Sequence, residues 1–123
     1  VYKRQVIGST GYGLHHVLSQ TLVRFACIGH GAANAIMLPR SIPALARRFP
    51  ESLGRLQHAL GEDPGAAASR LCALSGATHL SELGVSEEQL DQCADEAAAR
   101  AELHLTPPPA DRDELRELYV AAY

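Results

Sequence analysis

Three observations in the sequence predict an all-α fold, a multi-helix bundle. Apolar residues recur at the helical spacings of three and four along most of the chain. Leu and Ala dominate a composition that is 46% hydrophobic but only 5% aromatic. Apart from Val6 and Ile7, no stretch alternates apolar and polar residues as a half-buried strand does. A chain of 123 residues is long enough for one domain with a single core.

The first helix is predicted to run from Leu14 to Cys27. Its apolar positions recur at spacings of four, four and three: Leu14, Leu18, Leu22 and Phe25. A second helix is predicted to begin near His30, where an apolar run follows. Pro39 and Pro43 are expected to kink or end it, because proline lacks the N–H that an interior helical position donates.

Two further helices are predicted in the middle of the chain, after a short segment that ends at Pro50. The third helix is predicted to stop at Gly61, and its apolar positions are Leu53, Leu56 and Leu60. Asp63 followed by Pro64 is typical of an N-cap and a first helical residue, so the fourth helix begins there. Its predicted buried stripe consists of Ala67, Leu71, Cys72 and Leu74.

Capping patterns predict the last two helices. Ser86 with Gln89 three positions later matches a capping box. The inward residues of that helix, which is expected to last until about Ala101, are predicted to be Leu90, Cys93, Ala94 and Ala97. After three consecutive prolines, Asp111 with Glu114 starts a new helix. It is predicted to pack Leu115, Leu118 and Tyr119.

Charge and hydropathy exclude several classes of partner. Eleven basic and fourteen acidic residues give a net charge of -3, so no basic surface for nucleic acid is expected. No apolar run approaches the roughly 20 residues of a membrane span, and no signal peptide is recognisable, which predicts a cytoplasmic protein. Three widely spaced cysteines, interpreted as buried thiols, fit neither a disulfide framework nor a metal knuckle: Cys27, Cys72 and Cys93.

Two histidines are candidates for a metal site. His16 lies on the same predicted helical face as Gln20, and His30 follows 14 residues after His16 at the glycine-flanked start of the next helix. A helical hairpin would bring the two imidazoles together. Imidazoles bind iron, zinc, nickel or copper, although a stable site usually needs three or four ligands. Spacing alone leaves two interpretations open, a metal site and ordinary core histidines.

Three other patterns have simpler explanations. Cys27 lies three residues before His30, but the intervening glycine disfavours a nucleophile and base pair, and a buried thiol is the simpler explanation. The glycines at positions 8, 11 and 13 do not match the dinucleotide fingerprint, and they permit a close approach of backbone segments. A small basic group could meet a phosphate or form a solvated helix face: Arg40, Arg47 and Arg48.

The run GLHHVLSQTLVRFACIGHGAANAIMLP, from Gly13 to Pro39, resembles the iron-containing alcohol dehydrogenase family, which includes the maleylacetate reductases. The resemblance rests on a histidine at the head of a helix, a second histidine 14 residues later, and an HG-x-x-NA-x-x-LP continuation. That continuation stands here as His30, Gly31, Asn34, Ala35, Leu38 and Pro39. The resemblance extends weakly to the C-terminus.

The resemblance implies a ligand set and a domain organisation. The family's catalytic metal is held by an Asp and three His, and His16 and His30 occupy two of those positions. Iron is the first expectation for the divalent metal, with zinc as the alternative. The other ligands and the NAD(P)-binding domain lie upstream in the family. Residues 1–7 are therefore expected to be a scar and truncated junction, and residues 8–123 a helical metal-binding domain.

The function implied by the resemblance is an NAD(P)-dependent, metal-dependent oxidoreductase that interconverts a small-molecule alcohol and a carbonyl compound. The parent enzyme is expected to be a homo-oligomer, and the chain alone to be inactive. Reduction of the maleylacetate type is the alternative within the family. A non-catalytic helical interaction module and a self-contained two-histidine metal-binding protein are the alternatives outside it.

Three positions depart from the family pattern. Gln20 stands where many relatives have a second active-site histidine, and it is the candidate catalytic residue because it could hydrogen-bond the substrate or a ligand imidazole. Gly29 stands where proline commonly precedes the ligand histidine, and Tyr123 replaces the usual tryptophan. His15 points roughly 100° away from His16 on a helix and is expected to lie outside the metal shell.

Overall fold

The computed structural model describes residues 12–123, and within them all regular secondary structure is helical. The six α-helices are α1 (Leu14–Phe25), α2 (His30–Arg48), α3 (Pro50–Leu60), α4 (Pro64–Ala73), α5 (Glu87–Ala98) and α6 (Arg112–Val120). Two 3₁₀ segments span Ser81–Leu83 and Ala101–Leu105. The predicted all-α bundle is confirmed. The predicted junction at residues 1–7, with the possible strand residues Val6 and Ile7, lies outside the described residues, as do Gly8 and Gly11.

Helices α1 and α2 form the hairpin that was predicted, with one boundary changed. Helix α1 ends at Phe25, two residues before the predicted end at Cys27. The reason is the backbone of Cys27, whose φ of 56° lies in the left-handed region and cannot continue a right-handed helix. Gly29 then provides the N-cap residue of α2 in an extended conformation.

Helix α2 continues through both of its prolines, so the expectation that they would end it is wrong. It runs for 19 residues and absorbs the segment that was predicted as separate. Pro39 is buried in the interface, and Pro43 lies on the surface. Because α2 packs along its length against α1 and α4, tertiary contacts offset the hydrogen bonds that the two prolines remove.

Two of the four residues predicted as the buried stripe of α4 are exposed, whereas Ala67 and Cys72 are buried as predicted. Helix α3 has the predicted C-cap, since Gly61 adopts a left-handed φ of 73°, yet none of its residues is buried. Asp63 caps α4 as predicted by accepting the N–H of Ala66 at 2.8 Å. Leu71 and Leu74, however, are 56% and 79% exposed. Both helices lie at the edge of the described bundle, where nothing covers these apolar side chains.

The C-terminal helices match the prediction closely. The Ser86 N–H donates to Gln89 Oε1 at 2.9 Å, and the Gln89 N–H donates to Ser86 Oγ at 3.3 Å, which completes the capping box. Asp111 caps α6 by accepting the N–H of Glu114 at 2.8 Å. Helix α5 ends at Ala98 instead of Ala101. All seven inward residues predicted on the two helices are buried: Leu90, Cys93, Ala94, Ala97, Leu115, Leu118 and Tyr119.

The core lies between α1, α2, α5 and α6. Tyr119 is fully buried there, and its hydroxyl donates to the carbonyl of Leu18 at 3.1 Å, which joins α6 to α1. The Leu80 N–H donates to the carbonyl of Ala122 at 2.8 Å, so the chain end is attached to the segment before α5. Among the helices of residues 12–123, none combines the length and hydrophobicity that crossing a membrane requires.

Candidate metal site

His16 lies in the first turn of α1 and is partly exposed. Its ring stacks on the ring of Tyr12, with centroids 3.9 Å apart and planes inclined by 24°. Burial lowers the pKa of His16, and the nearby charges of His30 and Arg100 lower this pKa further. A neutral imidazole is the form that binds a metal ion.

His30 is the first residue of α2 and adjoins Gln20 of α1. The amide Nε2 of Gln20 lies 3.3 Å from Nδ1 of His30. Gln20 is one helical turn beyond His16 and on the same face of α1. His16, Gln20 and His30 therefore lie on two packed helices. Among these three side chains, Gln20 and His30 form the hydrogen bond that joins the helices.

The donor set fits part of a metal site. Imidazole nitrogen is a common ligand for zinc and for iron, and both candidate histidines are accessible at the surface of the hairpin. In the part of the chain that the structure describes, no group of three or more His, Cys, Asp or Glu side chains is arranged to hold a metal ion. Two histidines amount to half of a four-ligand set, so a stable metal site would need ligands beyond those found among residues 12–123.

His15 faces α2 instead of the candidate site. Its Nε2 lies 3.2 Å from Asn34 Oδ1 and its Nδ1 lies 3.0 Å from Ser41 Oγ, so both ring nitrogens have hydrogen-bond partners. Burial lowers the pKa of His15, which favours the neutral ring, although the hydrogen bond with Asn34 acts in the opposite direction. A ring engaged at both nitrogens is a poor metal ligand.

Thr106 fixes the start of α1, a role with no signal in the sequence. Its buried hydroxyl oxygen accepts the N–H of Leu14 at 2.9 Å. A Cβ added at Gly13 would lie 2.4 Å from this oxygen, so the glycine permits the close approach. Ninety-two positions separate Leu14 from Thr106 in the chain, so no local pattern could have revealed the contact. The start of the helix that carries His16 therefore depends on the segment after α5.

An ion pair near His16 was also missed by sequence reasoning. Arg100 donates to both oxygens of Glu102, at 2.6 and 3.2 Å. The Arg100 guanidinium is the main reason that the pKa of Glu102 falls to about 2. The opposite charges of the two residues act on His16 in opposite directions, Arg100 lowering its pKa and Glu102 raising it.

The cysteines do not form a nucleophilic site among the described residues. Cys27 is exposed, which corrects the expectation of a buried thiol, and no hydrogen bond between Cys27 and His30 is found in residues 12–123. Cys72 and Cys93 are buried as predicted. Burial raises the pKa of Cys93 to about 11, so this thiol stays protonated at neutral pH.

The basic group on α2 holds the C-terminal part of the chain, which corrects both sequence interpretations. The Arg48 side chain is only 6% exposed and binds both oxygens of Glu114, at 2.8 and 2.6 Å. Arg47 contacts the same carboxylate at 3.2 Å, and Arg40 donates to the carbonyl of Ala121 at 3.1 Å. These arginines are engaged with protein acceptors, so they form neither a free phosphate site nor a merely solvated face.

Comparison with known proteins identifies the family of this chain. The model of the "Fe-containing alcohol dehydrogenase family, C-terminal" matches residues 4–123. The chain belongs to the iron-containing alcohol dehydrogenase family. Within the family, the chain is 32% identical over 120 residues to a maleylacetate reductase of Pseudomonas aeruginosa. That alignment covers 96% of this chain and 34% of the relative, so the chain spans about a third of the length of the relative.

Solved structures of the iron-containing alcohol dehydrogenase family share the fold. Maleylacetate reductase from Agrobacterium tumefaciens superimposes with a TM-score of 0.81 at 30% identity, over 92% of this chain and 32% of that chain. A 1,3-propanediol oxidoreductase superimposes with a TM-score of 0.82 at 24% identity, over 91% of this chain and 33% of that chain. The second likeness concerns the fold alone.

Proposed function

We propose that residues 8–123 form the metal-binding part of an NAD(P)-dependent oxidoreductase that interconverts an alcohol and a carbonyl compound. His16 and His30 would be two of the ligands of a divalent metal, iron in the first instance. Family membership supports an oxidoreductase as the parent protein. The observation that carries the assignment to these residues is the contact between Gln20, on the His16 face of α1, and the ring of His30.

Gln20 would position the ligand imidazole. Its amide can donate to Nδ1 of His30 as observed. With the amide rotated, its oxygen would accept a hydrogen from Nδ1–H, which is the ring form that leaves Nε2 free for a cation. A histidine in place of Gln20 would be a titratable group that can carry a proton. Gln20 does not titrate, but it keeps a hydrogen bond to His30.

The chemistry of the complete site follows from its parts. When bound, a divalent cation would polarise the substrate oxygen, and the nicotinamide would carry the hydride. His16, backed by the ring of Tyr12, and His30, held by Gln20, would fix the two protein nitrogens on this side of the site. The remaining ligands and the nucleotide site would come from the rest of the parent protein.

Substitution of the two histidines in the full-length parent tests this proposal. His16→Ala and His30→Ala should each abolish bound metal and activity, because each removes a ligand nitrogen. The helical content should change little, since the helices are held by buried Leu and Ala side chains. Metal analysis, steady-state rates and circular dichroism would measure the three quantities. Unchanged metal content in both variants would disprove the ligand assignment.

A second candidate function is reduction of maleylacetate, the substrate that the names of several relatives give. It is favoured by 32% identity to the maleylacetate reductase of Pseudomonas aeruginosa. The presence of Gln20 where many relatives have histidine bears on substrate class in addition to its contact with His30. The full-length parent should be assayed with maleylacetate and with short alcohols at equal concentrations. A higher kcat/KM for maleylacetate would favour this candidate, and a higher value for an alcohol would favour the first.

A further inference from the structure

A chain of hydrogen bonds joins the two helix segments that carry His16 and His30. His15, next to His16 on α1, has its Nε2 3.2 Å from Oδ1 of Asn34 on α2. The side-chain amide of Asn34 in turn donates to the backbone carbonyl of His30 at 2.9 Å. Two side chains thus connect the first turn of α1 to the first turn of α2.

The direction of each hydrogen bond follows from the Asn34 amide. Because its nitrogen donates to the carbonyl of His30, its oxygen faces the His15 ring, and Nε2 of His15 must carry the hydrogen. Nδ1 lies 3.0 Å from the buried hydroxyl of Ser41, whose single hydrogen also has the carbonyl of Leu38 as an acceptor at 3.1 Å. The two hydrogen bonds from His15 to Asn34 and from Asn34 to His30 therefore have defined directions.

Apart from the contact of Gln20 with the His30 ring, the turn that holds His30 has little else to fix its orientation. It is flanked by Gly29 and Gly31, and a Cβ added at either glycine would meet nothing within 4 Å. Glycine has the largest backbone freedom, and the first turn of a helix lacks half of its backbone hydrogen bonds. A side-chain link from the body of α1 to this turn supplies the missing constraint.

We propose that His15 and Asn34 are positioning residues that hold His16 and His30 at the separation a shared cation requires. This inference rests on the proposed metal site. It gives His15 a positioning role, although His15 is not itself a candidate metal ligand. It also predicts that Asn34 acts on metal binding without contacting the metal, through the carbonyl of His30.

The test is a Zn²⁺ titration of the full chain, followed by NMR at the imidazole resonances of His16 and His30. His15→Leu and Asn34→Leu should each weaken Zn²⁺ binding roughly tenfold, the scale known for residues that orient metal ligands. The double variant should bind Zn²⁺ no more weakly than whichever single variant binds it more weakly, because either change already breaks the link. His15→Gln should restore most of the affinity, since its amide can still donate to Asn34.

Controls separate this inference from the proposed function. Zn²⁺ shifts that persist unchanged in both His16→Ala and His30→Ala would defeat the metal site itself. Loss of binding in those variants, together with affinities within about twofold of the parent in His15→Leu and Asn34→Leu, would overturn only the positioning role. Additive losses in the double variant would overturn it as well. Where His15→Leu lowers the helical content, Asn34→Ala provides the same comparison, because Asn34 is only half-buried.

Discussion

Arg48 and Glu114 illustrate how single residues join distant parts of the bundle. The Arg48 guanidinium on α2 lowers the pKa of Glu114 on α6 below its ordinary value of 4.5, mainly through hydrogen bonds to the carboxylate. A carboxyl group whose pKa is lowered by folding stabilises the fold above its unfolded pKa, and the contribution disappears as the pH falls through the folded pKa. The pair should therefore contribute at neutral pH and fail in acid.

The first prediction follows from this ion pair. Glu114→Gln should lower the free energy of unfolding at pH 7, and the difference from the parent should shrink as the pH falls below about 4.5. Urea denaturation between pH 7 and pH 3 would measure it. Glu117→Gln is a suitable control on the same helix, since no ion pair of Glu117 occurs within residues 12–123. An equal difference at every pH would contradict an electrostatic contribution from Glu114.

The backbone conformation of Gly29 leads to a second prediction about a single residue. Its φ of -64° and ψ of 141° match the conformation of proline, the residue common at this position in the family. Because proline restricts the unfolded chain, Gly29→Pro should raise the free energy of unfolding by about 0.4–1 kcal/mol. Gly61→Ala should lower it by roughly 1 kcal/mol, because Gly61 has a φ of 73°. Thermal unfolding of both variants would measure the contrast, and a destabilised Gly29→Pro would contradict it.

Helices α3 and α6 both carry apolar residues at helical spacings but differ in how deeply these residues are buried. Leu56 of α3 is 42% exposed, whereas Leu115 of α6 is fully buried. Leu115→Ala should therefore cost about 2–5 kcal/mol of unfolding free energy in this chain, because it leaves a cavity. Leu56→Ala should change the value by no more than about 0.5 kcal/mol. Urea unfolding of the two matched variants measures the difference, and equal costs would show that α3 is packed as firmly as α6.

At the scale of the whole molecule, the chain spans about a third of the length of a family relative. The alignment covers 34% of that relative, and in the described residues Gln20, one helical turn from His16, contacts His30. We predict that the isolated chain has no dehydrogenase activity, since the described residues offer two candidate ligands where a catalytic metal usually has three protein ligands. Assays of the purified chain with iron or zinc, NADH, NADPH and short alcohols or aldehydes would test this. Turnover above the background rate would contradict the prediction.

Local signals determined much of the fold. The caps at Asp63, Ser86 and Asp111 were predictable because each uses a side chain within three residues of the N–H that it accepts. The placement of His16 and His30 on two consecutive packed helices was equally accessible, because the 14-residue spacing depends on one helix, one short loop and the start of the next helix. Interactions confined to neighbouring residues are encoded locally, and a reader of the sequence can recover them.

Tertiary structure alone decided the features that depend on distant partners. Thr106 reaches Leu14 across 92 positions, and Arg48 reaches Glu114 across 66, so neither contact leaves a local pattern. Helix α2 continues through two prolines because neighbouring helices pack against it. The helix propensities of the local sequence do not reveal this packing. By itself, then, the sequence determined the helices, their caps and the two candidate ligands. Burial and long-range hydrogen bonds decided which faces are covered and how the ligand helices are held, because both depend on which segments meet in space.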